Sequence, residues 1–420
     1  MRIKQISVSG LFGIFDHVIP LNMEERITII HSLNGFGKTS ILRMLNGLFN
    51  SQYSVFRDIP FNKFRVEFNN GSYVEVVKNC PIEKAKKSEE ISFDFYEPNL
   101  DKETFILSDT SEFLAPIDTL DDMIQFQRLL KIKFEEEPDE RMLSERLKNN
   151  IHVRLIESQR LLNVVSNHSS KLDSEASPML PTVSAYSEEI AHIIQFKLAE
   201  YGATSQSLDR TFPARVVQQN QSSGLEDEEL RLQLDKLEEN RSRLVELGLL
   251  DKDNNSDFQI QSQDHIDPST INVLSVYAQD IEKKLSVFSE IANKIELLRK
   301  IINSKFAYSY KEMNFNKKKG FVFKTLSTSG TDNISPKDLS SGEQHELVLF
   351  YELLFKVEPN SLVLIDEPEL SLHVAWQAQF LRDLQEIIKL TDLDVLLATH
   401  SPDIIQDRWD LTKQLKGPAI

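Results

Sequence analysis

Two short motifs more than three hundred residues apart constrain this chain more than anything between them. Ser32 to Thr39 reads SLNGFGKT, set between an alternating apolar run, Arg26 to Ile30, and a stretch whose apolar spacing after Lys38 is helical. Ser361 to Leu372 reads SLVLIDEPELSL, an apolar strand that delivers Asp366 and Glu367 side by side. Strand, glycine loop and helix open an α/β domain, and the acidic strand end supplies what the loop lacks. The two ends of the chain are therefore expected to fold into one domain, with the middle growing out of it.

The loop fits the phosphate-binding pattern at every position except the first, where Ser32 replaces the usual glycine. Its chemistry needs backbone amides aimed at phosphate oxygens with no side chain in the way, hence Gly35 and Gly37, and a helix N-terminus that favours anions. Asn34 and Ser40 flank these positions as further candidates. Lys38 would bridge β- and γ-phosphate oxygens, and Thr39 would ligate Mg²⁺. Asp366 would hold the same Mg²⁺ through water, and Glu367 would polarise an attacking water. ATP and Mg²⁺ are the expected cofactors.

Ile3 to Val8 reads as a first strand, and Phe64 to Phe68 and Tyr73 to Val77 flank Asn69, Asn70 and Gly71 as a hairpin of an antiparallel side sheet. Leu120 to Phe134 has amphipathic helical spacing. His152 to Ile156 is a short strand, after which long charged helices begin. Leucines at 230, 234, 237, 244 and 247, and the series Leu274, Ile281, Leu285, Phe288, Ile295 and Ile302, alternate steps of three and four or their sums. They predict an antiparallel helical hairpin, either a projecting coiled coil or an ordinary bundle. Lys319 to Thr325 alternates as a strand, His345 to Phe355 is helical, and Asp394 to Ala398 is a short buried strand ahead of Thr399, His400 and Ser401. The expected organisation is an N-terminal lobe over 1–165, a helical insertion over 166–305 and a C-terminal lobe over 306–420. The fold class is α/β, a mixed sheet plus an antiparallel side sheet, with a long, partly coiled-coil insertion.

Composition narrows the partners. Sixty-five acidic against 48 basic residues give a net charge of −17, which opposes broad adhesion to nucleic acid, a process that depends on Lys and Arg neutralising phosphates. Lys317, Lys318 and Lys319 form a local basic cluster better read as a solvated hairpin. The single cysteine, Cys80, excludes an internal disulfide framework and a multi-cysteine metal site. No signal-peptide core and no apolar run of spanning length is evident, so a soluble cytoplasmic protein is expected. Phe12 and Phe15 are candidates for stacking on an adenine base or for the core of the first sheet.

The segments NGFGKTS, IESQRL, LSSGEQHELVLFYELLF, LVLIDEPELSLH and LLATHSPDII together resemble the ABC-type AAA ATPases of the overcoming-lysogenisation-defect class, relatives of Rad50 and SMC heads. The resemblance covers both ends of the chain and skips the middle. It implies that LSSGEQ is the signature, with Ser340, Ser341, Gly342 and Glu343 acting on the nucleotide of a second copy in a head-to-head homodimer. A capping loop ahead of the helix, with Ser341 as cap, is the plainer alternative. The resemblance also implies that His400 is the switch histidine and that Gln159 joins the Mg²⁺ shell.

Many members of that class carry a Toprim nuclease after the ATPase, whereas only about twenty residues follow His400 here. The expected partner is therefore a separately encoded nuclease-type effector, with a phage-encoded trigger protein. The C-terminal segments are most similar to the ATPase subunits of PARIS-type anti-phage systems, with those of Septu as neighbours. Higher oligomers through the insertion are a further expectation. A Rad50-like DNA-maintenance ATPase is the alternative, although one cysteine cannot form a zinc hook. A transporter subunit would carry a far shorter insertion.

Overall fold

The structure is a computed structural model, and it describes residues 1–79, 90–98, 102–107, 151–157, 162–163, 180–218, 227–252, 268–326, 333–370 and 372–418. The expected helix over Leu120 to Phe134, Cys80 and Gln159 lie outside the described residues. By internal contact the chain divides into two compact units, 1–159 with 356–420, and 160–355.

The described strands are β1 Ile3–Leu11, β2 Phe15–Pro20, β3 Ile27–His31, β4 Lys63–Phe68, β5 Tyr73–Asn79, β6 Glu90–Tyr96, β7 Glu103–Leu107, β8 Val153–Ile156, β9 Leu162–Asn163, β10 Leu180–Pro181, β11 Lys311–Asn316, β12 Gly320–Thr325, β13 Asn333–Ile334, β14 Leu362–Asp366, β15 Asp394–Thr399 and β16 Thr412–Gln414. In the first unit they make two sheets, an antiparallel one in the order β2-β1-β4-β5-β6-β7 and a parallel one in the order β16-β3-β15-β14-β8. The parallel strands read as continuous apolar runs because both faces are covered, and all five residues of β14 are buried. The antiparallel strands alternate instead, as in β4, where Phe64, Val66 and Phe68 point inward.

The hairpin β4–β5 forms at the Asn-Gly turn with Val66 opposite Val74. Ile41, Leu42, Leu45, Leu48 and Phe49 of the helix Lys38–Phe49 share one core with residues of both sheets. Sequence-distant strands thereby come to flank the phosphate loop. β3, from the start of the chain, pairs in parallel with β15 and β16, from its end.

The second unit holds helices Thr182–Gln218, Asp227–Glu246, Pro268–Ser286 and Ser289–Phe306, the three-stranded sheet β11-β12-β13 and the helix Ser341–Tyr351. The first leucine stripe faces inward, with Leu230, Leu244 and Leu247 buried, while Leu232, off the stripe, is exposed. The second stripe does not run through one continuous helix. It breaks before Phe288, whose ring is fully buried and tilted against Tyr201 of the Thr182–Gln218 helix. Arg215 of that helix makes an ion pair with buried Asp280, so the expected two-helix hairpin is one side of a larger bundle. The hairpin β11–β12 and the helix Ser341–Tyr351, grouped by the sequence reading with the C-terminal lobe, fall in the same compact unit as these helices. Lys317 to Lys319 form the turn of that hairpin, and Asn316 Oδ1 accepts the backbone N–H groups of Lys318 and Lys319.

Candidate functional site

The loop after β3 takes its shape from its two glycines. Gly35 and Gly37 both have φ of +87°, a left-handed conformation that costs other residues about 1–2 kcal/mol. At Gly37 space adds to the demand, since a Cβ there would meet Leu11 Cδ2 at 2.4 Å. Gly37 is also the N-cap of the helix Lys38–Phe49 and brings no capping side chain, so the N–H groups of the first turn are left for an anion. Lys38 is buried, and its Nζ donates to the carbonyls of Ser32 at 3.0 Å and Leu33 at 3.4 Å, folding the loop over the ammonium. Ser32, at the position usually held by glycine, donates its hydroxyl to the Leu33 carbonyl. Asn34 is exposed and Ser40 half-buried.

The acidic strand end meets this loop. Thr39 Oγ1 donates to Asp366 Oδ1 at 3.2 Å, closing a gap of 327 residues in sequence. Burial is the main reason the Asp366 carboxyl is pushed above its ordinary value. The neighbouring Glu367 adds to the shift, whereas the Thr39 hydroxyl, Arg43 and Lys38 oppose it. A hydroxyl and a carboxylate side by side are hard oxygen donors, and they fit a Mg²⁺ that keeps several waters.

Glu367 stands immediately beyond the strand with φ of +44°, its N–H bonded to the Ala398 carbonyl at 2.9 Å. A glutamate held in the left-handed region is a strained residue of the kind that functional sites retain. His400 follows β15, and its Nδ1 lies 3.7 Å from Glu367 Oε1 and 3.0 Å from Glu369 Oε1. Lys38, Thr39, Asp366, Glu367 and His400 thus belong to one unit of the fold.

The LSSGEQ segment belongs to the other unit. Ser340 and Ser341 are exposed at the start of the helix Ser341–Tyr351 and Gly342 is half-buried. The cap is Ser340 rather than Ser341: its Oγ accepts the N–H of Glu343, and Glu343 Oε2 accepts the N–H of Ser340. Glu343, expected to act on the nucleotide of a second copy, is engaged within its own chain. It is only 2% exposed and its carboxylate accepts from Ser309 Oγ and Lys311 Nζ as well. Burial opposes ionisation of Glu343, but these donors outweigh it and hold the carboxyl below its usual value.

Three residues beside those already described carried no strong sequence signal. Glu369, within the acidic motif, contacts His400. His31 closes β3, and its imidazole is lowered from the ordinary value by burial and by Lys38. The exposed Trp409 lies edge-on to His31 at 5.4 Å. Of the two phenylalanines considered for base stacking, Phe12 is 40% exposed, while Phe15 stacks on His17 and tilts against Phe36.

Residues 1–405 match the family described as AAA ATPase domain. Among curated proteins, the chain is 38% identical over 78 residues to Protein ea59 of Escherichia phage lambda, covering 18% of this chain and 15% of that protein. It is 24% identical over 115 residues to Septu protein PtuA of Bacillus thuringiensis, covering 26% of this chain and 28% of that one. The chain thus matches less than a third of the length of either relative. Among solved structures it is similar to an Smc head domain with an extended coiled coil bound to the C-terminal domain of ScpA, derived from Pyrococcus furiosus. That likeness has 13% identity, covers 96% and 91% of the two chains, and has a TM-score of 0.36. The SMC head domain from Thermotoga maritima matches with 11% identity, 97% and 92% coverage and a TM-score of 0.36.

Proposed function

The chain belongs to the AAA ATPase domain family, and on that premise we propose that it is the Mg²⁺-dependent ATP-hydrolysing subunit of an anti-phage defence system. In this reading two copies close head to head around ATP, and the assembly controls a separately encoded nuclease effector. The observation that carries the ATPase reading is the contact of Thr39 with Asp366, which joins the glycine loop to the acidic strand end. Family membership supports nucleotide binding, and the similarity to Septu protein PtuA supports the defence role. The similarity of the C-terminal segments to PARIS-type subunits makes a Toprim-type effector the first partner to test, and an HNH-type effector the second.

Within the site, Gly35, Gly37 and the first-turn N–H groups of the helix Lys38–Phe49 bind and orient the phosphates, with Asn34 and Ser40 at the margins. Lys38 exchanges its carbonyl partners for phosphate oxygens. Thr39 and Asp366 hold Mg²⁺, which when bound neutralises charge developing on the phosphate oxygens. Gln159, expected in the same shell, is part of the proposal on the sequence motif alone. Glu367 accepts the proton of the attacking water, and His400 lies beside it. Ser340, Ser341 and Gly342 of a second copy, exposed or half-buried at their helix start, complete the phosphate site. Glu343 serves there as the cap that sets the helix start.

The test has two arms. Purified protein should hydrolyse ATP with Mg²⁺ and form an ATP-dependent dimer in sedimentation, both lost in Lys38→Ala. Cells carrying the gene with its native neighbours should restrict phage, and lose restriction on Lys38→Ala or on deletion of the neighbouring nuclease gene. Full restriction by Lys38→Ala would refute the coupling of defence to ATP.

A further inference from the structure

We propose that His17 is a positioning residue of the phosphate loop: its Nε2–H holds the Phe36 carbonyl and so turns the Gly37 N–H towards a bound phosphate. This rests on the reading of the loop after β3 as the nucleotide site. Nε2 of His17 is hydrogen-bonded to the Phe36 carbonyl oxygen at 3.1 Å, between the two left-handed glycines Gly35 and Gly37. A carbonyl only accepts, so Nε2 is the nitrogen that carries the proton. Burial lowers the imidazole from its ordinary value, against the opposing effects of that carbonyl and of Asp16, so the ring is neutral at pH 7 and its one proton sits in this bond.

The consequence lies on the far side of the peptide. A trans peptide is planar and its N–H points opposite to its C=O, so fixing the Phe36 carbonyl fixes the direction of the Gly37 N–H, away from His17. That N–H has no hydrogen-bond partner among the described residues. Left-handed Gly37, followed by the right-handed first turn of the helix Lys38–Phe49, is the backbone form in which successive N–H groups line an anion-binding concavity. The surroundings hold the same peptide. Phe15, two residues before His17 on the same face of β2, stacks on the His17 ring with centroids 5.7 Å apart and tilts against the Phe36 ring at 5.1 Å. One strand thus grips Phe36 by both its ring and its carbonyl. His17 is only 4% exposed, too buried to meet a substrate, so its role is exerted through the loop. An inward polar ring costs desolvation that an apolar one would not, and the Phe36 carbonyl is the group that answers it.

The experiment uses the full chain, in which Phe–Gly occurs twice, at Phe12–Gly13 and Phe36–Gly37. Carbon-13 at phenylalanine carbonyls with nitrogen-15 at glycine therefore gives two correlated amide signals, and Phe12→Leu removes the first and identifies the second. In His17→Leu the Phe36 carbonyl signal should move and the Phe12 signal should stay. ADP with Mg²⁺ should displace the Gly37 amide signal of the wild type. Affinity for ADP in calorimetry should fall about 3- to 10-fold in His17→Leu, the worth of one hydrogen bond, and KM for ATP should rise by the same factor with kcat within about twofold. His17→Gln, which can set an amide donor in place of Nε2, should recover most of the affinity, a rescue that lost packing would not show. If His17→Leu fails to fold, His17→Phe, which keeps a ring against Phe15 and lacks the donor, takes its place. An unmoved Phe36 carbonyl signal, an unchanged affinity beside a moved one, or a His17→Gln as weak as His17→Leu would each overturn the proposal. Should the wild type bind no ADP, the proposed function and this role fall together, whereas any of those three results with a wild type that binds ADP overturns this role alone.

Discussion

The helix Ser341–Tyr351, whose start presents Ser340 and Ser341, is tied to its own unit by a charge pair that water does not reach. Lys305 Nζ and Glu346 Oε1 are in direct contact, both side chains are 0% exposed, and the ammonium also sits 4.7 Å from the centre of the Phe350 ring. Replacing Lys305 by Met keeps most of the stem and its packing but takes the ammonium away from a buried carboxylate. Breaking such a pair costs about 3–5 kcal/mol, whereas replacing both partners by apolar residues is close to neutral or stabilising. With a urea dependence of about 2–3 kcal/mol/M, a loss of about 4 kcal/mol displaces the midpoint by about 1.5 M.

The assay is urea unfolding followed by far-ultraviolet circular dichroism. Both tryptophans, Trp376 and Trp409, lie in the other unit, so the helical signal is the informative one. Lys305→Met should move the transition by that amount, and Lys305→Met/Glu346→Leu should restore most of it. A single variant costing less than about 1 kcal/mol, or a double variant as unstable as the single, would refute the view that the cost comes from breaking the buried charge pair rather than from lost packing.

Glu367→Gln should bind ATP like the wild type but turn over about 10²- to 10⁴-fold more slowly, the range set by loss of a general base; unchanged turnover in a steady-state phosphate-release assay would remove Glu367 from that role. Gly37→Ala should cost about 1–2 kcal/mol from its left-handed backbone, plus displacement of Leu11, and should weaken nucleotide binding in calorimetry. Asp366→Asn should raise the melting temperature of the cation-free protein at neutral pH. The folded-state carboxyl of Asp366 is raised, so stability is lost as pH climbs from the unfolded value through the folded one, and the variant escapes that loss. Its advantage should shrink as pH falls towards about 4, and Mg²⁺ with ATP should reverse the order in thermal melts, since only the wild type gains from the bound cation.

Much of the site was legible because its parts are local. A phosphate loop is six or seven backbone conformations in a row, and Gly35 and Gly37 declare the two that other residues avoid. The apolar run into Asp366 likewise declares a strand covered on both faces. Glu343 was ambiguous for a related reason. The pattern Ser-x-x-Glu satisfies a capping box as well as a signature, and only the positions of Ser309 and Lys311 show that the carboxylate is already committed.

The amino-acid sequence by itself therefore determined the strand, glycine loop and helix, the acidic strand end and the helical character of the middle, since each depends on neighbours within a turn or two. Tertiary structure alone decided that Thr39 touches Asp366, that His400 stands between Glu367 and Glu369 and nearer the latter, and that the second leucine stripe breaks at Phe288. Those are contacts between surfaces, and the burial that selects them is a property of the packed core, not of any segment within it.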